Sequence, residues 1–188
     1  MKRIVLSLLT VCFGAFGLAG PFQVGLQTAK AADTEKSIIL DIAIDCRTFR
    51  NNLGLPFANF GRGDGFIANG KLFPRGTLLP GAQSNDPDSA GSIGKYIEHG
   101  TFAATFAEIV AGKRPAFVAT WFHLLDEGGG IVTEGPHPDS GPMAVVGGMG
   151  EFSGASGEES VNIIGTNITG CPNMRVTFNL LRGGSRVK

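Results

Sequence analysis

From Ser37 to Asp45 the chain alternates strictly. Ile38, Leu40, Ile42 and Ile44 fall on one side of an extended strand, with Ile39, Asp41, Ala43 and Asp45 on the other. The pattern alone makes the isoleucine side the core face. Further short runs of strand character follow at Phe66 to Phe73, Lys95 to Ala107 and Ala116 to Leu125. After these come Ile131 to Glu134, Met143 to Val146, Glu151 to Ser156, Val161 to Ile164 and Met174 to Leu181. Between them lie Gly-, Asn- and Pro-rich stretches, the loops expected at 47–65, 80–92 and 135–142, and the Asp126 to Gly130 hairpin turn. No segment sustains a 3.6-residue apolar period and no unit repeats. About eight strands joined mainly by short turns predict an all-β domain, either a closed antiparallel barrel or a sandwich.

One strand departs from simple alternation. Phe117, Ala119, Trp121 and Leu125 share a face with His123, and Val118, Phe122 and Leu124 make the opposite face apolar too. A strand with one face in water would carry polar residues there, so cover by a loop or a second subunit is expected.

The first 31 residues read differently. Lys2 and Arg3 precede an apolar run from Ile4 to Leu18, and Ala29-Lys30-Ala31 offers a small-x-small cleavage pattern. This predicts a signal peptide over 1–31, removed after Ala31, and a mature domain over 32–188 that is exported to the periplasm or beyond the cell. Loss of Lys2, Arg3 and Lys30 from 16 basic residues leaves 13 against 16 acidic ones, a formal charge of −3. With no basic stripe, nucleic acid is not an expected partner, nor is a membrane once the leader has gone. The mature chain keeps Cys46 and Cys171, an even count in an oxidising compartment. Cys46 follows the first strand and Cys171 precedes the last. In a closed antiparallel barrel these strands are neighbours, so the geometry predicts a disulfide; two buried free thiols are the alternative.

The most specific motif is Met143 to Glu158 (MAVVGGMGEFSGASGE), whose glycines permit a tight turn and strong coiling. It resembles a hairpin shared by allene oxide cyclases and plant dirigent proteins, and Ile131 to Gly135 and Met174 to Gly183 resemble the strands around it. The resemblance covers residues 115–183 and implies a calycin-type barrel of about eight strands. It also implies a homo-oligomer, trimer or dimer, which we expect to bury part of the Ile38/Leu40/Ile42/Ile44 face. Upstream, Leu40 to Ala43 resembles a cyclase strand with an inward acid, and Leu55 to Asn59 a segment presenting an inward Asn. By that resemblance Asp41 and Asn59 are the candidate catalytic residues, and Phe57, Phe117, Trp121 and His123 the candidate ligand-binding ones. Ala43 stands where the cyclases use Asn.

Other motifs carry less. His99, His123 and His137 have no metal-ligand spacing, so no metal is expected. Glu98 and His99 point to opposite faces of a strand. Arg62-Gly63-Asp64 reads as a chance triplet in a Gly-rich loop, Asn85 to Ser89 as a solvated turn, and Asn167-Ile168-Thr169 as a glycosylation sequon. No nucleophile elbow, phosphate loop or dinucleotide fingerprint is present, so no cofactor is expected. Two functions stay open. One is a barrel that binds an apolar small molecule and steers its cyclisation or coupling. The other is a non-catalytic carrier or assembly subunit.

Overall fold

The computed structural model describes residues 36–51, 60–81, 87–136 and 141–181. The expected signal segment 1–31 and the site candidates Phe57 and Asn59 lie outside them. Eight strands run in chain order around a closed barrel. They are β1 (Lys36–Asn51), β2 (Gly65–Pro74), β3 (Gly94–Phe102), β4 (Phe117–Leu125), β5 (Gly130–Pro136), β6 (Met143–Met149), β7 (Ser156–Thr166) and β8 (Pro172–Leu181). Every neighbouring pair is antiparallel, and β1 closes the sheet against β8, with Leu40 opposite Val176 and Ile42 opposite Met174. The barrel, not the sandwich, is the architecture.

The isoleucine side of β1 faces inward, as its alternation requires. Leu40, Ile42 and Ile44 pack in one cluster with Leu72, Tyr96, Trp121, Val176 and Phe178. That corrects the expected oligomer interface: this face is the barrel's own core and is not free to meet a second subunit. Each fully buried large side chain there contributes roughly 1.5–3 kcal/mol relative to exposure. Cross-strand neighbours alternate large with small, which lets so many rings fit. Gly100, opposite Phe66 and Ala119, is an example. A Cβ there would meet the Phe66 ring at 2.8 Å. On β4, Ala119, Trp121 and His123 point inward, while Val118 on the outer face is 46% exposed. The expected cover over that outer face is therefore not supplied by the described part of the chain.

Two stretches read as strand fold otherwise. The expected strand to Ala107 stops at Phe102, and Phe106–Val110 forms a one-turn helix, α1. Its start is a capping box. The Thr105 side chain accepts from the Glu108 N–H, and the Glu108 carboxylate accepts from the Thr105 N–H. The expected strand at Glu151 to Ser156 is a tight turn containing a short 3₁₀ segment, Gly150–Phe152. Gly150 and Gly154 adopt φ of 60° and 79°, which breaks the extended chain on both sides. β7 consequently begins at Ser156 and runs unbroken through the expected gap to Thr166.

Cys46 and Cys171 are bonded, with Cα atoms 5.2 Å apart. The bridge spans a separation of 125 residues and ties β1, just past its last pair with β8, to the residue that precedes β8. In the chain-entropy model such a loop is worth roughly 4–5 kcal/mol. The turn before β8 reinforces the same corner. Asn167 Nδ2 donates to the Ile44 carbonyl at 2.8 Å, and Thr169 Oγ1 accepts from the Cys46 N–H.

Candidate functional site

Asp41 is fully buried, but not inside the barrel. Strand alternation puts it on the outer face of β1, directly opposite Arg175 of β8. The chain leaving β2 folds back over this face, so that Phe73 and Leu78 pack with Ala43 and Ile164 in a second, smaller cluster. Arg175 donates to both Asp41 oxygens, Nε at 2.7 Å and Nη2 at 3.1 Å. The N–H groups of Gly76 and Leu78 donate to Oδ2 at 2.8 and 3.1 Å. The carboxylate in turn holds the guanidinium above its ordinary range through the hydrogen bond and its charge. This corrects the inward position expected for Asp41. Its charge is fully engaged in clasping the β2–β3 connection to the wall. Asp45, further along the same face, lies half-buried and bonds Arg47, which pulls its carboxyl below the ordinary range.

The interior has its own chemistry. Tyr96 and Glu98 on β3, Trp121 and His123 on β4, Thr133 on β5 and Glu159 on β7 all point inward and are buried. Trp121 Nε1 donates to Glu98 Oε1 at 3.1 Å, and the Tyr96 hydroxyl to Oε2 at 3.3 Å. Burial drives the Glu98 pKa up to about 7, and the charge of Glu159 adds to that rise. The two neutral donors oppose it without cancelling it. Burial and the neighbouring carboxylates likewise push the Tyr96 phenol well above its usual range. Deeper in the barrel, His123 Nε2 lies 3.3 Å from Glu159 Oε1, with Phe178 edge-on to the imidazole at 4.8 Å.

Above this cluster a cavity of about 120 Å³ opens at the barrel end where the disulfide sits. Its walls are apolar: Phe49, Phe66, Phe102, Phe117 and Trp121 on one side, and Ile163, Pro172 and Met174 on the other. Glu98 is the one ionisable group among its described lining residues. A wider depression of about 320 Å³ lies at the opposite barrel end beside Lys36, Glu151 and Phe152, but it is shallow and has no buried ionisable group.

Of the candidates drawn from the sequence, Phe117 and Trp121 line the mouth cavity, and His123 lies in the layer beneath. Asp41 is separated from them by the barrel wall. The acids Glu98 and Glu159 were missed. The signal for Glu98 was present: Tyr96, Glu98, Gly100 and Phe102 recur with period two, and three of the four suit a core face. Glu159 was hidden because β7 had been divided into two shorter strands.

The remaining motifs resolve locally. Arg62 pairs with Glu108 at 2.7 Å, and Asp64 accepts from the Gly61 N–H. Asn167, the sequon residue, is 3% exposed with its amide committed to Ile44 and Asn173, so the folded chain does not present it. Among the described residues no three His, Cys, Asp or Glu side chains converge as a metal site, and no helix is long and apolar enough to cross a membrane.

No family model matches the chain, and no curated protein matches it. Solved structures do. The pterocarpan synthase dirigent protein PsPTS1 matches with a TM-score of 0.53 at 12% identity, over 81% of this chain and 99% of that one. The pterocarpan synthase dirigent protein GePTS1 gives 0.52 at 14% identity, over 82% and 89%. At these identities the likeness is one of architecture. With eight antiparallel strands closing in chain order, the chain is a β-barrel of the dirigent type.

Proposed function

We propose that this protein is an exported barrel that binds an apolar small molecule in the mouth cavity and steers its cyclisation or coupling. Glu98 is the group that exchanges a proton with the ligand. The observation that carries the reading is a single carboxyl, raised to about 7, at an otherwise apolar cavity. An acid whose pKa lies near the working pH can give a proton and take it back with little penalty either way. Rigid aromatic walls would hold a flexible ligand in one folded conformer, which is catalysis by restriction of motion. Two neighbours of the same architecture are pterocarpan synthase dirigent proteins, which is consistent with a role in controlling ring formation.

The cavity is smaller than the roughly 300–1,000 Å³ typical for drug-sized ligands and near the size that takes a single benzene ring. We therefore expect one ring-sized end of the ligand to enter, with the rest outside the mouth. Export is part of the proposal on the strength of the basic and apolar leader, and the disulfide is compatible with it. Self-association belongs to the proposal as well, through outer-face residues such as Ile67 and Val118, which are 40% and 46% exposed.

Native mass spectrometry of protein recovered from the exported fraction tests this reading. It should show a mature chain starting at Ala32 and a bound small molecule that Trp121→Ala releases. An intact leader would remove export from the proposal. A mature chain that carries nothing and takes up no added phenol would leave the non-catalytic assembly subunit as the better account.

A further inference from the structure

Beneath the mouth cavity the barrel holds a second carboxyl group that the proposed function does not use. Glu159 is 0% exposed, and neither of its oxygens accepts a hydrogen bond among the described residues. Its near polar neighbour is His123 Nε2, 3.3 Å from Oε1. The other imidazole nitrogen, Nδ1, lies 3.4 Å from the Ile131 carbonyl. Both ring nitrogens thus face acceptors. A protonated imidazole placed there has an oxygen acceptor beside each nitrogen, the Glu159 carboxyl on one side and the Ile131 carbonyl on the other. The pair is linked to the cavity through two side chains: the Tyr96 and Trp121 rings pack 5.6 and 6.3 Å from His123, and both donate to Glu98.

Two carboxyl groups in one low-dielectric interior resist ionising together, so the first negative charge goes to the group with the better partner. Glu98 has two neutral donors, Tyr96 and Trp121. Glu159 has a group that can become a cation. Among the described residues no other inward group competes. Facing these side chains, β1 contributes Ile42 and Ile44, β2 Ala68 and Leu72, β5 Ile131 and Thr133, β6 Met143 and Val145, and β8 Met174, Val176 and Phe178. None of these carries a charge.

We infer that His123 assigns the one negative charge of the barrel's interior to Glu159 and so keeps Glu98 protonated at the cavity. His123 and Glu159 are then positioning residues: neither lines the cavity, and they act on a ligand only through the protonation of Glu98. Proton exchange at the mouth would be tuned from a layer the ligand never reaches. The inference rests on the reading that Glu98 is the working group of the cavity, but its test needs no ligand.

Infrared difference spectroscopy of the disulfide-bonded protein, followed from acid to alkaline pH, reports protonated carboxyl groups directly. At about pH 6, above the ordinary carboxylic range, a buried protonated-carboxyl band should be present in the native protein and in E159Q, and absent in E98Q. In E159Q the midpoint of that band should fall by about one pH unit, because the like charge has gone. In H123Q the band should persist to higher pH, since Glu159 without its cation takes up a proton and contributes the same band. Loss of the band in E159Q would place the proton on Glu159 and overturn the inference. An unmoved midpoint in E159Q would also overturn it, by showing that burial alone sets the protonation of Glu98. E159Q preserves shape, so it decides the matter even if H123Q fails to fold.

Discussion

Asp41 and Glu98 are both buried carboxyl groups on strands of the same barrel, yet their surroundings could hardly differ more. Asp41, on the outer face, accepts four hydrogen bonds, two of them from the Arg175 guanidinium. Glu98, on the inner face, accepts one each from Trp121 and Tyr96, has no cation in contact among the described residues, and forms part of an apolar cavity wall. A carboxylate matched by a cation and backbone donors is a structural fastening. One matched only by neutral donors in an apolar enclosure titrates near neutrality and is free to do proton chemistry. Burial of an acid does not by itself mark a site; its set of partners does.

The comparison can be broken in several ways. The largest effect expected is on the frame that holds both regions in place. Reduction of Cys46–Cys171 should lower stability by roughly 4–5 kcal/mol in the chain-entropy model, read as the difference in denaturant midpoint with and without reductant. Next is the outer clasp. Asp41→Ala leaves Arg175 facing no carboxylate and strands the Gly76 and Leu78 N–H groups, at a cost of about 3–4 kcal/mol. Affinity for a phenol at the mouth should be unchanged in any Asp41→Ala protein that still folds. A selective loss of binding, with stability intact, would return Asp41 to the site.

A smaller effect, of opposite sign, is expected at Glu98. Its folded pKa lies above the ordinary 4.5, so between pH 4.5 and about 7 the folded protein holds a proton that the unfolded chain has released. Stability must therefore fall as pH rises through that window and level off above it, by about 3 kcal/mol in all. Glu98→Gln keeps the shape without the charge. It should be more stable than the native protein at pH 8 by up to that amount and should flatten the fall between pH 4.5 and 7. Chemical denaturation of the two proteins at a series of pH values checks this. A native profile that rises with pH across the window would mean that Glu98 is ionised in the fold.

Most of the frame is legible in the sequence, because alternation is a local property. The inward face of β1, the glycine-rich hairpins and the cysteines at either side of the seam all follow from residues close together in the chain. What was misread depends on contacts that are not local. Asp41 meets Arg175 across 134 residues, and the loop that buries it sits on the outside of the barrel, where alternation predicts solvent. The resemblance to the cyclases pointed Asp41 inward, against the alternation, and the alternation was the better guide. Glu98 and Glu159 were passed over for the opposite reason. An acid on a core face contradicts the pattern, and only the closed barrel shows that the two share one interior with His123. α1 was a smaller miss, although Thr105-x-x-Glu108 is a readable capping box.

The central claim is that Glu98 meets a ligand in the mouth cavity, and the affinity for a one-ring phenol as a function of pH tests it most directly. The phenol ionises only near pH 10, so between about pH 5 and 9 it stays neutral and Glu98 is the group at the cavity that changes charge. A phenol hydroxyl bonds a carboxylate more strongly than a neutral acid. Titration of para-cresol, followed by NMR, should show shifts at Phe117 and Trp121 and binding that tightens through an inflection near pH 7. In Glu98→Gln that inflection should be gone. Affinity that is flat with pH in the native protein, or shifts gathered at the opposite barrel end around Phe152, would contradict the account.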